Sequence, residues 1–426
     1  MTTSDGPQRL RNCGVVMTDR ANSPVEIPRI ISLDDHLVEP PHLWEQWLPE
    51  KFRARGPHVK RQRVGPLGLS DKDGTPTDGV DVPEGEWCDV WHFEDLVYPT
   101  KRPIAAVGFP SDQRTLVPIT YEEMRPGCYE PAARVSDMRK NHVETSLTFP
   151  TFSRFCGQTF LERSDKELSL ACVRAYNDFM VEEWCGDSDG ALVPLIIIPL
   201  WDVTHAVEEV RRNANRGCRA MCFSELPTNL GLPSIHSGYW DPLFLECQET
   251  GVVVAMHIGS GWKELPGSPD APPAVSFSLS SNNAAASLCD FLFSGVLVKF
   301  PGLKLLYSEA QIGWIPYILE RVDTVWHEHR ARAGVFDLVP EPPSTYYYRQ
   351  VVSCFFRDNF GLRSLTEIGI DNITFETDYP HGDSTWPDTK LLATEMMRHL
   401  STEDIWKIVR GNAARLLGLS IEDLKA

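Results

Sequence analysis

The chain has 426 residues, is 42% hydrophobic and 23% charged, and carries a formal net charge of −18. The composition is that of a globular protein, and the charge argues against nucleic acid or an anionic membrane surface as a partner. No apolar run approaches the roughly 20 residues needed to span a bilayer, and the polar residues 1–27 read as a flexible leader with no secretory h-region.

In chain order, Ile30-Ile31-Ser32-Leu33 is a β-branched apolar run, the pattern of a buried strand. It continues into Asp34-Asp35-His36-Leu37-Val38-Glu39 and is stopped by Pro40-Pro41. Strand alternation places Asp34 and His36 on one face. A carboxylate beside an imidazole at a strand end is half of a metal site; the alternative is a turn cap and a half-buried histidine. A helical stretch covers 43–52. Residues 53–130 then turn rich in Gly, Pro and Asp, with Trp87, Trp91, Phe93, Tyr98 and Phe109 interspersed and little periodicity. They are expected to form an insertion after the first strand, packed over the main domain as a lid. A helix at 132–140 follows.

From there short apolar strands alternate with amphipathic helices. Strands are expected at 142–149, 192–198, 219–223, 252–258, 303–308, 351–355 and 373–376. Helices are expected at 164–184, 203–216, 240–250, 282–299, 311–330, 359–368, 388–398 and 402–417. With 30–33 this makes eight strands in βα order, the count of an α/β protein of the (β/α)8 TIM-type barrel class over residues 28–426. A doubly wound open sheet is the alternative. The 11 cysteines are scattered without a CxxC pair and read as free thiols of a cytoplasmic protein.

A barrel carries its functional residues at the C-terminal ends of its strands. His257 ends the fifth predicted strand, Glu309 the sixth, and Asp378 and His381 follow the eighth. Adding Asp34, His36 and Glu39 makes three imidazoles and four carboxylates, more than one metal needs. Each of the less certain members has a plainer reading. Glu39 caps a turn or pairs with an arginine, Glu309 hydrogen-bonds a ligand histidine, and His381 orients Asp378. Glu225, past the fourth strand, stays unassigned. His205, His327, His329 and His399 lie in helical sequence, as surface residues do. Phe149, Phe152, Phe155, Trp262, Tyr346 to Tyr348 and Trp386 make an aromatic rim suited to a bulky apolar substrate such as a terpenoid. Arg154 and Lys263 are candidates to meet a substrate carboxylate. Exposed aromatics in the insertion suit a homodimer.

Several motifs together resemble one family. They are Asp34-x-His36-x-x-Glu39-Pro40-Pro41, Tyr129-x-Pro131-x-x-Arg134-x-x-Asp137-Met138, Ala175-Tyr176-Asn177 and Met256-His257-Ile258-Gly259. Glu309-x-x-x-x-Trp314-Ile315-Pro316, Asp378-Tyr379-Pro380-His381 and Gly411-Asn412-Ala413-Ala414-Arg415-Leu416 complete the set. From about residue 28 onward the chain resembles the amidohydrolase-2 branch of the metal-dependent amidohydrolase superfamily. The resemblance implies a barrel with a metal at its strand ends, and Asp34, His36, His257 and Asp378 fall on ligand positions.

Two departures bear on function. Hydrolase and decarboxylase members usually carry His-x-His or Glu-x-His on the first strand and a histidine after the sixth, where this chain has Glu309. In the surplus of carboxylates the chain is similar to the amidohydrolase-related dinuclear iron oxygenases. That likeness implies two iron ions held by Asp34, His36, Glu39, His257, Glu309, Asp378 and His381, with Glu309, His381 and Asp378 catalytic. The expected activity is a monooxygenase that uses O2 to hydroxylate an unactivated C–H bond of a terpenoid-like substrate, such as a diterpenoid in antibiotic biosynthesis. An external electron donor is then required, since no flavin or nicotinamide fingerprint is present. The alternative is a hydrolase or non-oxidative decarboxylase. It would carry one Zn2+ or Mn2+ on Asp34, His36, His257 and Asp378, with Glu309 as base.

Overall fold

The computed structural model describes residues 26–67, 80–186, 188–261, 268 and 270–420. The expected leader up to residue 25, and the rim residues Trp262 and Lys263, lie outside them. Strand β1 (Ile30–His36) is buried along its whole length. The apolar run predicts its start, and the strand continues through the acidic tripeptide to His36.

The segment read as aperiodic contains a regular element. Strands β2 (His58–Val64), β3 (Glu86–Phe93) and β4 (Leu96–Pro99) form an antiparallel sheet in that order. Its buried face brings Trp91 against Trp44 and Phe152, with ring centroids 5.2 and 4.8 Å away. The same segment is tied to the loops around β1 and the last strand. Tyr121 donates its hydroxyl to the Glu39 carbonyl at 2.6 Å, and the N–H of Ala106 donates to the Pro380 carbonyl at 2.8 Å.

Strands then alternate with helices. β5 (Val143–Phe149) pairs in parallel with β1 and with β6 (Leu192–Val193). A second parallel ladder runs β7 (Leu195–Ile196), β8 (Ala220–Phe223), β9 (Val253–His257), β10 (Leu305–Ser308), β11 (Val351–Phe355) and β12 (Ile373–Phe375). Parallel strands covered on both faces read as unbroken apolar runs, which is why their positions are legible. The fold is therefore parallel α/β. The predicted strand 192–198 is divided at Pro194, which has no N–H to give to a ladder. The ladders do not join as one sheet. Between β12 and β1 the backbone still meets: the N–H of Asp378 donates to the Asp34 carbonyl at 3.0 Å, and that of His36 to the Tyr379 carbonyl at 2.6 Å.

Helices cover the strands where periodicity places them, with two N-termini capped by aspartate. Asp165 accepts from the N–H of Leu168, and Asp202 from those of Thr204 and His205. The stretch 282–299 is two helices, Asn282–Phe293 and Val296–Lys299, broken at Gly295 with φ of 80°. Pro343–Gln350 forms a helix that the aromatic run Tyr346 to Tyr348 conceals. It enters β11 from its N-terminal end. These tyrosines are thus packing residues at the far end of the strands and not part of a rim; Tyr347 is fully buried and Tyr348 donates to the Glu367 carbonyl at 2.6 Å. The described cysteines are all free, and all but Cys289 are buried. No helix among the described residues is long and apolar enough to cross a membrane.

Candidate metal centre

The pleat of β1 divides its acidic end into two tasks. Asp35 faces away from Asp34 and His36 and acts as a tie: it accepts from Ser146 Oγ on β5, from Thr377 Oγ1 at 2.5 Å and from the Tyr379 N–H at 3.0 Å. Arg134, fully buried, donates to the His36 carbonyl and, at 2.7 Å, to that of Gly127. The strand end is thereby fixed from behind before any ligand is considered.

On the other face the predicted residues converge. His36 Nε2 and His257 Nε2 lie 3.1 Å apart. Asp34 reaches both, with Oδ1 at 3.6 Å from His36 Nε2 and Oδ2 at 3.4 Å from His257 Nε2. Glu309 Oε2 stands 3.3 Å from His257 Nε2, and Asp378 Oδ1 stands 3.5 Å from His36 Nε2 and 2.9 Å from His381 Nδ1. The donor atoms of Asp34, His36, His257 and Glu309 all lie within 4.8 Å of one another, as do those of His36, Asp378 and His381. His257 Nδ1 donates to the Ile258 carbonyl at 2.6 Å, which leaves the Nε2 lone pair directed at the cluster.

The electrostatics are those of a cation site. Both oxygens of Asp34 and of Asp378 are buried, and the carboxyls face the cluster's own imidazoles at 2.9–3.6 Å. Burial, followed by the Glu309 and Asp378 charges, pushes the Asp34 carboxyl well above its usual range, and burial does the same to Asp378. Glu309 is raised to about 7 by burial and then by Asp378, while burial holds His381 down at about 4. Carboxylates out of water are costly unless a cation is among them, and hard oxygen donors mixed with neutral imidazoles suit a divalent transition metal. The residues present fit such an ion.

Glu39 does otherwise. Its carboxylate accepts the N–H groups of Phe152 and Ser153, at 2.7 and 3.0 Å, in the loop after β5. The surplus that argues for a second metal includes this residue, so the surplus shrinks. Two residues outside the expected ligand set shape the centre, Phe155 of the expected rim and the unexpected Glu376. Phe155 stacks on His257, with centroids 4.2 Å apart and planes 9° apart. Glu376, fully buried, accepts the Glu309 N–H on Oε2 at 3.1 Å. Strand parity places Thr374, Glu376 and Asp378 on one face, a signal that could have found Glu376. Glu309 and Asp378 both sit in the left-handed region, at φ of 56° and 51°, a strained conformation for residues with side chains. Phe152 belongs to the buried cluster with Trp44 and Trp91, Trp386 packs on Tyr379, and Arg154 pairs with Glu162 at 2.6 Å.

Parallel strands that gather imidazoles and carboxylates at their C-terminal ends define a metal-dependent enzyme. The chain belongs to the amidohydrolase family, whose model matches residues 42–419. Solved structures with a similar fold include an amidohydrolase from Mycobacterium avium subsp. paratuberculosis K-10, 24% identical, covering 92% of this chain and 99% of that one, with a TM-score of 0.67. A dihydroxybenzoic acid decarboxylase from Polaromonas sp. JS666, with bound manganese and the inhibitor 2-nitroresorcinol, is 16% identical over 94% of this chain and 100% of that one, with a TM-score of 0.57. A 5-carboxyvanillate decarboxylase from Novosphingobium aromaticivorans DSM 12444, complexed with manganese and 4-hydroxy-3-methoxy-5-nitrobenzoic acid, is 13% identical over 92% and 96%, with a TM-score of 0.59.

These findings overturn the expected diiron monooxygenase. The similar structures named above are an amidohydrolase and two decarboxylases, and both decarboxylases hold manganese. Hydroxylation of a diterpenoid, a place in antibiotic biosynthesis and a pair of irons are withdrawn with it. Of the four carboxylates expected at the centre, one, Glu39, serves the backbone instead.

Proposed function

We propose that this chain is a single-metal, non-oxidative decarboxylase of an aromatic acid. Asp34, His36, His257 and Asp378 would hold one Mn2+ or Zn2+, which when bound offsets their charge and grips an anionic oxygen of the substrate. The observation that carries the reading is the position of Glu309. Its carboxyl stands at the edge of the cluster, 3.3 Å from His257 Nε2, on a left-handed backbone pinned by Glu376. A carboxyl so placed can hand a proton to the ring carbon as the carbon–carboxylate bond breaks, so that the acid leaves as CO2 and the arene regains hydrogen. Phe149 and Phe155, edge-on and stacked against His257, offer a flat apolar wall to such a ring.

The parallel strands are inferred to close as a (β/α)8 barrel, supported by chain continuity through Pro194 and by the Asp378–Asp34 hydrogen bond. The antiparallel sheet of β2 to β4 is inferred to cover its mouth, supported by the Tyr121–Glu39 and Ala106–Pro380 contacts.

The test is turnover of a panel of hydroxylated benzoates by Mn2+-loaded enzyme in D2O, read as CO2 release and deuterium in the product ring. Both signals, lost in Glu309→Gln, support the reading. Hydrolysis of amides or esters by the same sample, with no CO2 released from any acid, would sink it and make Glu309 the base of a hydrolase.

A further inference from the structure

A concave site lies at the other end of the strands from the metal centre. Arg29 stands immediately before β1 and His142 immediately before β5. From there β1 runs roughly 20 Å to His36. Beside these two residues lie the last turn of the helix Pro131–Lys140 and the first turn of the helix Thr389–Met397. Together they surround a cavity of about 500 Å3, with Arg29, Arg139, Lys140, His142, Asp388 and Lys390 in its lining. That volume is within the range of small-molecule sites.

Four cations against one carboxylate is an unexpected lining in a chain whose net charge is −18. Little else in the protein occupies them. Among the described residues, the side chains of Arg139 and Lys390 have no hydrogen bond or ion pair. Arg29 donates to the Arg139 carbonyl at 3.3 Å, and Lys140 shares Asp137 with Arg125. Burial holds the His142 imidazole below its usual value against the pull of its hydrogen bond to the Ile27 carbonyl, and the Lys390 and Arg29 charges push the same way as burial.

Helix electrostatics explain only part of this set. Arg139 and Lys140 close a helix C-terminus, where the dipole favours cations. Lys390 is the second residue of the helix Thr389–Met397, where a cation opposes the dipole, and that first turn carries no acidic residue. Asp388, at the N-cap, makes no side-chain cap. The Thr389 N–H goes to Asn141 Oδ1 at 3.3 Å, and the N–H groups of Lys390 and Leu391 have no acceptor within the helix. A helix start that gathers cations in a cavity, in place of the usual carboxylates, is prepared for an anion from solution. Two guanidinium groups add planar donor forks that match oxyanions.

We propose that this cavity binds a small polyanion, a phosphorylated or polycarboxylic metabolite, on Arg29, Arg139, Lys140 and Lys390. The site is independent of the decarboxylase reading and stands or falls without it.

The test uses the full chain, stripped of metal by a chelator that is then dialysed away, so that no probe can act through a bound ion. Pyrophosphate and citrate are titrated by calorimetry into wild type, into Arg139→Gln/Lys390→Gln, and into Lys60→Gln/Arg332→Gln. The last variant loses the same charge from exposed positions outside the cavity. Wild type should bind at least one probe, more weakly as salt is raised, and the tighter of the two tells a phosphate from a polycarboxylate. The cavity variant should bind about 10-fold more weakly or worse, the scale of one charge-assisted hydrogen bond, and the control variant should bind as wild type does. Melting without a probe is the second readout. Lys390→Gln alone removes a cation that opposes a helix dipole, so it should melt no lower than wild type and still bind more weakly. A wild type that binds neither probe overturns the proposal. Equal weakening in the control variant assigns the attraction to overall charge and overturns it too, as does a marked fall in the melting of Lys390→Gln with binding retained, which makes the cation structural.

Discussion

The Phe155 ring lies flat on the His257 imidazole, 4.2 Å away and within 9° of parallel. With Nδ1 committed to the Ile258 carbonyl, the stack leaves His257 one orientation, Nε2 toward Asp34 and Glu309. Phe155→Leu keeps an apolar contact and removes the flat face. It should weaken Mn2+ binding by about 10-fold, the lower end of what the loss of an orienting neighbour costs a metal site. Isothermal titration with Mn2+ checks this; affinity equal to wild type would mean the imidazole is held by Ile258 alone.

The buried oxygens of Asp34 and Asp378 predict opposite effects with and without metal. Asp34→Asn relieves the crowding of buried carboxyls that disfavours the charged form of Asp34, so the metal-free protein should melt about 1–3 °C higher than wild type. The same change should abolish the stabilisation wild type gains on adding Mn2+, which at 100 times the dissociation constant is about 2.7 kcal/mol. Melting curves with Mn2+ and with a chelator separate the two effects. A metal-free Asp34→Asn variant less stable than wild type would contradict the electrostatic account.

Glu376 acts on Glu309 through the backbone. Glu376→Leu leaves the Glu309 N–H without its acceptor and should destabilise the fold by about 1–3 kcal/mol. Glu376→Gln keeps an oxygen for that N–H and should restore most of the loss. If Glu309 delivers the proton, the leucine variant should lose kcat more than it raises KM, because the donor is misplaced while the metal still grips substrate.

Asp137 supplies a pH dependence away from the centre. Burial alone would raise its carboxyl, but hydrogen bonds from Arg125 and Tyr379, with the Arg125 charge, hold it below its usual 3.8. Arg125 donates to both of its oxygens, at 2.9 and 2.7 Å, and Tyr379 at 2.8 Å. The unfolded chain takes up this proton before the folded one does. The stabilisation is therefore complete above the unfolded value and is lost as pH falls through the folded one. Asp137→Asn should be less stable than wild type near neutral pH, and the gap should close below about pH 4. Urea midpoints across that range test it; a constant gap would assign the loss to packing.

The strands were readable because a parallel strand buried on both faces leaves an unbroken apolar run, as Val253–His257 does. The residues that gather at the centre were readable for a related reason. His257, Glu309 and Asp378 each end or follow such a run, and Asp34 and His36 share a pleat face. What stayed hidden depends on partners distant in sequence. Glu39 looks like a ligand until the N–H groups of Phe152 and Ser153 are seen around it. The sheet of β2 to β4 alternates weakly because much of it is half exposed. The helix Pro343–Gln350 starts on one proline, is preceded by another as its N-cap, and carries three tyrosines, modest helix formers that packing against the core makes helical.

The hydrogen bond from Asp378 to Asp34, and that from Tyr379 to Asp35 across 344 residues of chain, set an order of assembly. Asp34 and His36 come first along the sequence, His257 and Glu309 much later, and Asp378 last of the five. A chain folded only through Glu309 lacks Asp378, the last member of the proposed ligand set. Contacts of such sequence separation also form late, since the loop they close is most of the protein. In the proposed reading the complete ligand set, and with it tight metal binding, therefore forms only late in folding.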